Sequence, residues 1–204
     1  MFVSALGDPA ARLKVYVANR PDCQPFDHVE GCVPMSMSDI EFINRECGNG
    51  WRKLFNVYAK FLFELGDALA DPLVKSTYIE FSQWQILRDK ALLTQFCGHQ
   101  LVFTPPRIVF DEAVCPLDSN EACDVAPVPK AEAVVWHIVM GRTYARELER
   151  QKLVPALHWL DTDFAVNPDH RLIVCPYFDY RQLTNAKISR LVGLLKGYAG
   201  HRAV

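Results

Sequence analysis

Short apolar runs alternate with amphipathic segments along this chain, and the runs predict strands. Residues 13–18 alternate between apolar and polar positions and contain β-branched side chains, which predicts a first strand. Residues 133–140 form an apolar run typical of a central strand in a parallel sheet. Residues 156–160 and 171–175 predict two further strands, and the second of these is the last in the chain.

Helical periodicity dominates the first half of the chain. The segment Ser38-Asp-Ile-Glu41 has the spacing of a capping box, which predicts a helix that starts near its Asp and ends at the glycines of 48–50. Residues 51–69 have apolar side chains at intervals of three and four, the stripe of a core-facing helix. A second long helix is predicted over residues 75–96.

Two more helices are predicted directly after strands. Residues 142–152 follow Gly141, and residues 183–196 follow the last strand. Strands that alternate with helices are typical of a layered α/β fold. A length of 204 residues favours one domain, spanning 1–204. The expected fold is therefore α/β: a three-layer αβα domain with a short, mainly parallel sheet of about four strands.

The segment 100–130 has the least regular pattern. It contains five prolines and five acidic residues, and it predicts only a short strand at 107–110. The rest is predicted to be a long surface loop or an irregular arm. A loop of this length in a compact domain is usually either functional or mobile.

Composition narrows the class of protein. Half of the residues are hydrophobic and 23% are charged, which is ordinary for a globular protein and argues against disorder. The longest apolar stretch, 55–65, is interrupted by Lys60 and Glu64 and is shorter than the roughly 18 residues of a membrane span. The first residues lack the basic start of a signal peptide. A cytoplasmic protein without a membrane partner is expected.

The seven cysteines are scattered, and no two of them form a Cys-x-x-Cys motif. Reduced thiols are expected in such a protein, most of them buried. The spacing of Cys97, His99, Cys115 and Cys123 matches no ordinary zinc module. Neither a metal nor a cofactor is predicted.

The loops that follow the predicted strands carry the candidate site. In a parallel sheet these loops open on one edge, where α/β proteins hold their ligands. The first, central and last strands are followed by polar and aromatic residues. The candidate ligand-binding residues are Asn19, Arg20, Asp22, Gly141, Arg142, Tyr177, Asp179, Tyr180 and Arg181.

The residues of these loops favour an anionic ligand. Gly141 allows close backbone approach at the start of a helix, a natural anion site. Arg20, Arg142 and Arg181 could converge on a phosphate or a carboxylate. The alternative is that each arginine pairs with a nearby acid and supports its own loop.

The sequence gives weaker support to two other kinds of site, a metal site and a nucleophilic thiol. Asp161 and Asp163 have a spacing that can hold Mg²⁺, but turn chemistry is the better interpretation. Cys175 could act as a nucleophile with His137 or His158 as its base, but a cysteine at the end of a strand usually belongs to the core. The chain contains no Walker loop, no Gly-x-Gly-x-x-Gly and no Gly-x-Ser-x-Gly. No catalytic residue is assigned.

The net charge of −2 is unevenly distributed. From Tyr180 to Val204 there are five basic residues and no Asp or Glu. Cations near the end of a C-terminal helix complement the helix dipole, which is the favoured interpretation. An anion-facing surface is the alternative.

Two segments carry a family resemblance. Residues 134–148 read Val-Val-Trp-His-Ile-Val-Met-Gly-Arg-Thr-Tyr-Ala-Arg-Glu-Leu, and residues 172–181 read Leu-Ile-Val-Cys-Pro-Tyr-Phe-Asp-Tyr-Arg. With the Asn-Arg-Pro-Asp loop at 19–22, this order resembles the uracil-DNA glycosylase superfamily over about 13–30 and 133–196. The resemblance implies that fold and a ligand at the strand ends. The family's catalytic motifs are not intact, since Tyr177 stands nearest to the position of its late-loop histidine.

Two functions follow as hypotheses. The first is binding of a phosphorylated, nucleotide or nucleic-acid-like ligand at the strand ends of a glycosylase-like fold. The second is a non-catalytic protein–protein interaction module that uses the arm at 100–130. Whether the protein is an enzyme stays open at the level of sequence.

Overall fold

The computed structural model of the protein describes residues 3–66, 81–106, 108 and 135–199. Within these ranges, eight strands form one sheet. The strands are β1 (Ser4–Gly7), β2 (Leu13–Tyr16), β3 (Gly31–Val33), β4 (His99–Val102), β5 (Trp136–Met140), β6 (His158–Trp159), β7 (Ala165–Asn167) and β8 (Leu172–Cys175).

The sheet has the order β3-β1-β4-β2-β5-β8-β7-β6. The neighbours β4, β2, β5 and β8 are parallel to one another. β1 is antiparallel to β4, and β7 is antiparallel to both β8 and β6. The α/β class is therefore confirmed, but the prediction of about four, mainly parallel strands is wrong. The sheet is mixed and has twice that number of strands.

The missed strands lack an apolar pattern. The irregular arm predicted at 100–130 begins inside β4, whose four residues are all buried although His99 and Gln100 are polar. The backbone N–H of Leu93 donates to His99 Nε2 at 3.0 Å, and the Tyr58 hydroxyl donates to the Gln100 carbonyl at 3.1 Å. These bonds satisfy polar groups that burial would otherwise penalise.

Five α-helices lie within the described ranges. They are α1 (Met37–Glu46), α2 (Asn49–Gly66), α3 (Trp84–Lys90), α4 (Arg142–Arg150) and α5 (Asn185–Ala199). A short 3₁₀ helix spans Phe26–His28. α4 and α5 follow β5 and β8, as the apolar pattern predicted.

The helices of the first half differ in detail from the prediction. Ser36, not Ser38, is the N-cap of α1, and it exchanges hydrogen bonds with Asp39 in a capping box. α3 is much shorter than the predicted helix over 75–96. Residues 91–96 form turns, and residues 75–80 lie outside the described residues. Most of the arm predicted at 100–130, including nearly all of the strand predicted at 107–110, also lies outside them.

Apolar residues on the two faces of the sheet form separate clusters. Ile138 of β5 belongs to the larger cluster, which contains side chains of α1, α2, α3 and α5. Its neighbour Val139 belongs to the smaller cluster, which contains Ala145 and Leu148 of α4. Successive residues of a strand point to opposite faces. Helices thus cover both faces, with α4 on one face and the other four on the opposite face.

Cys23 and Cys47 form a disulfide, with their Cα atoms 5.9 Å apart. The expectation that all thiols are reduced is therefore wrong for this pair. The bond ties the loop after β2 to the end of α1. Cys32, Cys97 and Cys175 are free thiols, whereas Cys115 and Cys123 lie outside the described residues. Among the helices described, none combines the length and apolar character needed to cross a membrane.

Candidate functional site

A cavity of about 720 Å³ opens at the carboxyl ends of β2, β5 and β8. The next two strands in the chain, β3 and β4, lie on one side of β2, and the following strand, β5, lies on its other side. In α/β sheets, ligands bind where the strand order reverses in this way. The cavity is lined by Ala18, Asn19, Met140, Gly141, Arg142, Thr143, Tyr144, Glu147, Thr162, Asp163, Pro176, Tyr177, Arg181, Gln182 and Lys187.

Gly141 connects β5 to α4 at the wall of the cavity. Its φ of 94° is a conformation that side chains disfavour, and it is the N-cap of α4. Its N–H donates to the Cys175 carbonyl at 2.8 Å, and its carbonyl accepts from the Ala145 N–H at 3.0 Å. The first turn of α4 lines the cavity, so the positive end of its dipole faces any ligand there.

Three basic side chains line the cavity, and two of them lack a carboxylate partner within the described residues. Lys187 Nζ lies 2.7 Å from Asp163 Oδ2 and donates to the Gln182 carbonyl. No ion pair among the described residues involves Arg142 or Arg181, and both are exposed. The lining of the cavity therefore includes two arginines without an ion pair among the described residues, and the Arg181 guanidinium lies 5.7 Å from the centroid of the Tyr180 ring.

Glu147, the other acidic residue of the cavity wall besides Asp163, also has side-chain partners. It accepts hydrogen bonds from Arg150, at 2.6 and 2.9 Å, and from Gln151. These bonds lower the pKa of Glu147 to about 2. Since Asp163 pairs with Lys187, both carboxylates of the wall already have partners, and the local charge is positive.

Asp179 supports the loop after β8 and does not line the cavity. Its carboxylate accepts from the Arg181 N–H at 2.9 Å and lies 3.2 Å from Lys53 Nζ. Its carbonyl accepts from the N–H groups of Gln182 and Leu183. Burial alone would raise the pKa of the Asp179 carboxylate. The hydrogen bonds from the Arg181 N–H and Lys53, with the charges of Lys53 and Arg181, lower it instead. Asp179 fixes the backbone that carries Arg181.

The cavity contains five of the nine predicted ligand-binding residues: Asn19, Gly141, Arg142, Tyr177 and Arg181. Four others do not line it: Arg20, Asp22, Asp179 and Tyr180. Arg20 does not line the cavity with Arg142 and Arg181, and its guanidinium donates to the Asp27 carbonyl at 3.3 Å.

Tyr177 provides a neutral hydroxyl at the cavity wall. Burial, together with the charge of Asp179, raises the pKa of Tyr177 above its ordinary value. The phenol therefore stays protonated at neutral pH and can donate a hydrogen bond.

Sequence reasoning missed the part of the wall that comes from the β6–β7 turn and α5. Asp163 and Lys187 are far apart in the chain, and no local spacing indicates their ion pair. Asp161 does form the expected turn: its Oδ1 accepts from the N–H groups of Asp163 and Phe164 at 2.7 and 2.9 Å. Its other oxygen pairs with Arg190.

Two of the three free thiols of the described residues, Cys97 and Cys175, are buried, whereas Cys32 in β3 is partly exposed. Cys175 is fully buried, and burial raises its pKa, so the thiol remains protonated. Burial also raises the pKa of Cys97 to about 12. Among the described residues no three His, Cys, Asp or Glu side chains are placed to hold a metal ion.

The fold and the cavity define an α/β protein with a concave, cationic site at the carboxyl ends of parallel strands. Within that class, the chain belongs to a family of unknown function, DUF6942, whose family model matches residues 4–196. Comparisons with curated proteins and with solved structures found no match.

Proposed function

We propose that this protein binds a small phosphorylated or nucleotide-like ligand in the strand-end cavity. One observation carries the proposal: two exposed arginines, Arg142 and Arg181, line the same cavity as the first turn of α4. Guanidinium groups and helix N-termini both bind phosphate oxygens. A volume of about 720 Å³ falls in the range of small-molecule sites.

A likeness to the uracil-DNA glycosylase fold is the second part of the proposal. It is supported by the apolar strand β5 that ends in Gly141 before a helix containing Ala145, and by β8, whose loop leads into α5. The proposal does not extend to base excision, because Tyr177 occupies the loop where that family has a histidine. The function proposed for the cavity is ligand binding, without a chemical reaction.

The test is a thermal-shift screen of the full chain against nucleotides, free bases, sugar phosphates and short oligonucleotides. A ligand at 100 times its dissociation constant stabilises the folded state by about 2.7 kcal/mol. We expect at least one phosphorylated ligand to stabilise the protein. The double variant Arg142→Gln/Arg181→Gln should lose this stabilisation while keeping the unliganded melting temperature, since neither arginine has a carboxylate partner within the described residues.

Arg171→Gln is the matched control. Arg171 is an exposed arginine at the amino end of β8, on the opposite edge of the sheet. The control should respond to the ligand as the wild type does. A panel without any hit, or equal losses in the control and the double variant, would contradict binding in the cavity.

A further inference from the structure

A second groove lies between α2 and α3, beside the loop after β8. Its volume is about 470 Å³. Its described lining contains four basic side chains and no carboxylate. The lining residues are Asn49, Arg52, Lys53, Asn56, Val57, Lys60, Trp84, Arg88 and Tyr180.

The basic side chains are grouped around two aromatic rings. Lys60 Nζ lies 5.1 Å from the centroid of the Trp84 ring, and Arg88 Cζ lies 5.7 Å from it. Lys53 Nζ lies 5.4 Å from the centroid of the Tyr180 ring. Lys53 and Lys60 are seven residues apart on α2, which corresponds to about 10.5 Å along the helix axis. The groove thus has two cationic ends.

Acidic neighbours neutralise only part of this charge. Lys53 pairs with Asp179 at 3.2 Å, and Arg88 pairs with Asp89 at 2.7 Å. Among the described residues, Arg52 and Lys60 have no carboxylate partner.

Neutral groups hold two of the cations in place. Arg52 Nε donates to Asn49 Oδ1 at 3.1 Å, and Arg88 Nη1 donates to Asn56 Oδ1 at 2.7 Å. Asn49 is also the first residue of α2, so the positive end of that helix dipole adds to the charge near Arg52. An uncompensated cluster of like charges repels itself, and a bound anion relieves that repulsion.

We propose that the α2–α3 groove is a second binding site, which takes a ligand with two or more linked phosphate groups. One phosphate lies near Arg52 and Lys53, and another lies near Lys60 and Arg88. Trp84 and Tyr180, the rings that contact these cations, form part of the groove wall. The phosphates of a nucleoside polyphosphate and the backbone of a nucleic acid share this chemistry. The site does not rest on the proposed function of the strand-end cavity.

The experiment is a calorimetric titration of the full chain at low ionic strength, where phosphate contacts are least screened. The probes are inorganic phosphate, tripolyphosphate, ATP and a short oligodeoxythymidylate. We expect tripolyphosphate to bind more tightly than inorganic phosphate, because it can reach both ends of the groove. Tighter binding of ATP than of tripolyphosphate identifies a nucleotide as the source of the phosphates, and tightest binding of the oligonucleotide identifies a nucleic acid backbone.

Variants locate the site. Arg52→Gln/Lys60→Gln should weaken tripolyphosphate binding by at least about tenfold, since a hydrogen bond to a charged group contributes roughly 1.5–3 kcal/mol. Lys90→Gln removes an exposed lysine of α3 outside the groove and should change affinity by less than about twofold, the size of a distant surface effect. Arg142→Gln, in the strand-end cavity, should leave the tripolyphosphate-induced shifts of the amides of residues 49–60 and 84–88 unchanged even where it weakens binding in the cavity, so that failures of the two proposals are distinguishable.

A second measurement needs no variant. Tripolyphosphate should shift the backbone amide resonances of residues 49–60 and 84–88 in the NMR spectrum of the wild-type chain. Shifts confined to residues 141–144, equal affinities for phosphate and tripolyphosphate, or equal weakening by Lys90→Gln and the double variant would each overturn the proposal.

Discussion

At the scale of single residues, Gly141 shows how backbone conformation constrains the candidate site. Its φ of 94° is disfavoured for a residue with a side chain, although a Cβ there would meet no atom within 4 Å. We expect Gly141→Ala to destabilise the protein by about 1–3 kcal/mol, the cost of a strained backbone conformation. Urea unfolding measures this change.

Gly193 provides the matched control for that substitution. It lies inside α5, and its φ is not positive. A Cβ there would also meet no atom within 4 Å. Gly193→Ala should therefore stabilise the protein by about 0.5–1 kcal/mol, because alanine is the better helix former. Equal effects of the two substitutions would mean that the conformation of Gly141 carries no strain.

The same scale shows why only part of the site could be predicted. Asn19, Gly141 and Arg142 directly follow strands with a clear apolar pattern, so their positions at one edge follow from the topology. The ion pair of Asp163 with Lys187 depends on how the β6–β7 turn meets α5, which no local pattern encodes. The position of Arg20 outside the cavity lining, with its hydrogen bond to the Asp27 carbonyl, depends on the folded loop, which no local pattern encodes either.

At the scale of elements, the strands that the sequence predicts most clearly have an apolar run or an alternation. Runs of apolar residues predict β5 and β8, and alternation predicts β2. β1 and β3 each include a glycine, β7 has only three residues, and β4 carries His99 and Gln100 in the core. Tertiary hydrogen bonds determine such strands, so local patterns understate the width of the sheet.

The disulfide between the β2 loop and α1 should stabilise this part of the fold. It joins Cys23 to Cys47, which are 24 residues apart in the sequence. Closing a loop of this size in the unfolded chain contributes about 3 kcal/mol in the chain-entropy model. We expect Cys23→Ser/Cys47→Ser to lower the free energy of unfolding by about this amount, as measured by denaturant titration.

A reducing agent supplies the control for the disulfide. It should lower the melting temperature of the wild type toward that of the double variant and leave the double variant unchanged. If reductant leaves the melting temperature of the wild type unchanged, Cys23 and Cys47 do not form a disulfide in solution. The variant also tests whether the loop that carries Asn19 needs this tether for ligand binding.

At the scale of the whole molecule, two histidines in the sheet link stability to pH. His99 is fully buried, and burial lowers its pKa to about 4. Burial, with the charges of Lys14 and Arg171, lowers the pKa of His137 to about 4 as well. The unfolded chain binds protons at these side chains near pH 6.5, whereas the folded chain does not.

The sign of the pH dependence follows from this difference in proton binding. Stability is fully present above about pH 6.5 and falls as the pH decreases toward 4, by roughly 3 kcal/mol for each histidine. The Tyr16 hydroxyl lies 2.8 Å from His137 Nδ1, and protonation of the ring would make Nδ1 the donor of this hydrogen bond. His137→Gln should reduce the loss between pH 6.5 and 4.5, whereas replacement of the exposed His28 by Gln should leave it unchanged. Identical slopes for the two variants in urea unfolding would show that protonation of His137 does not limit the acid stability of the fold.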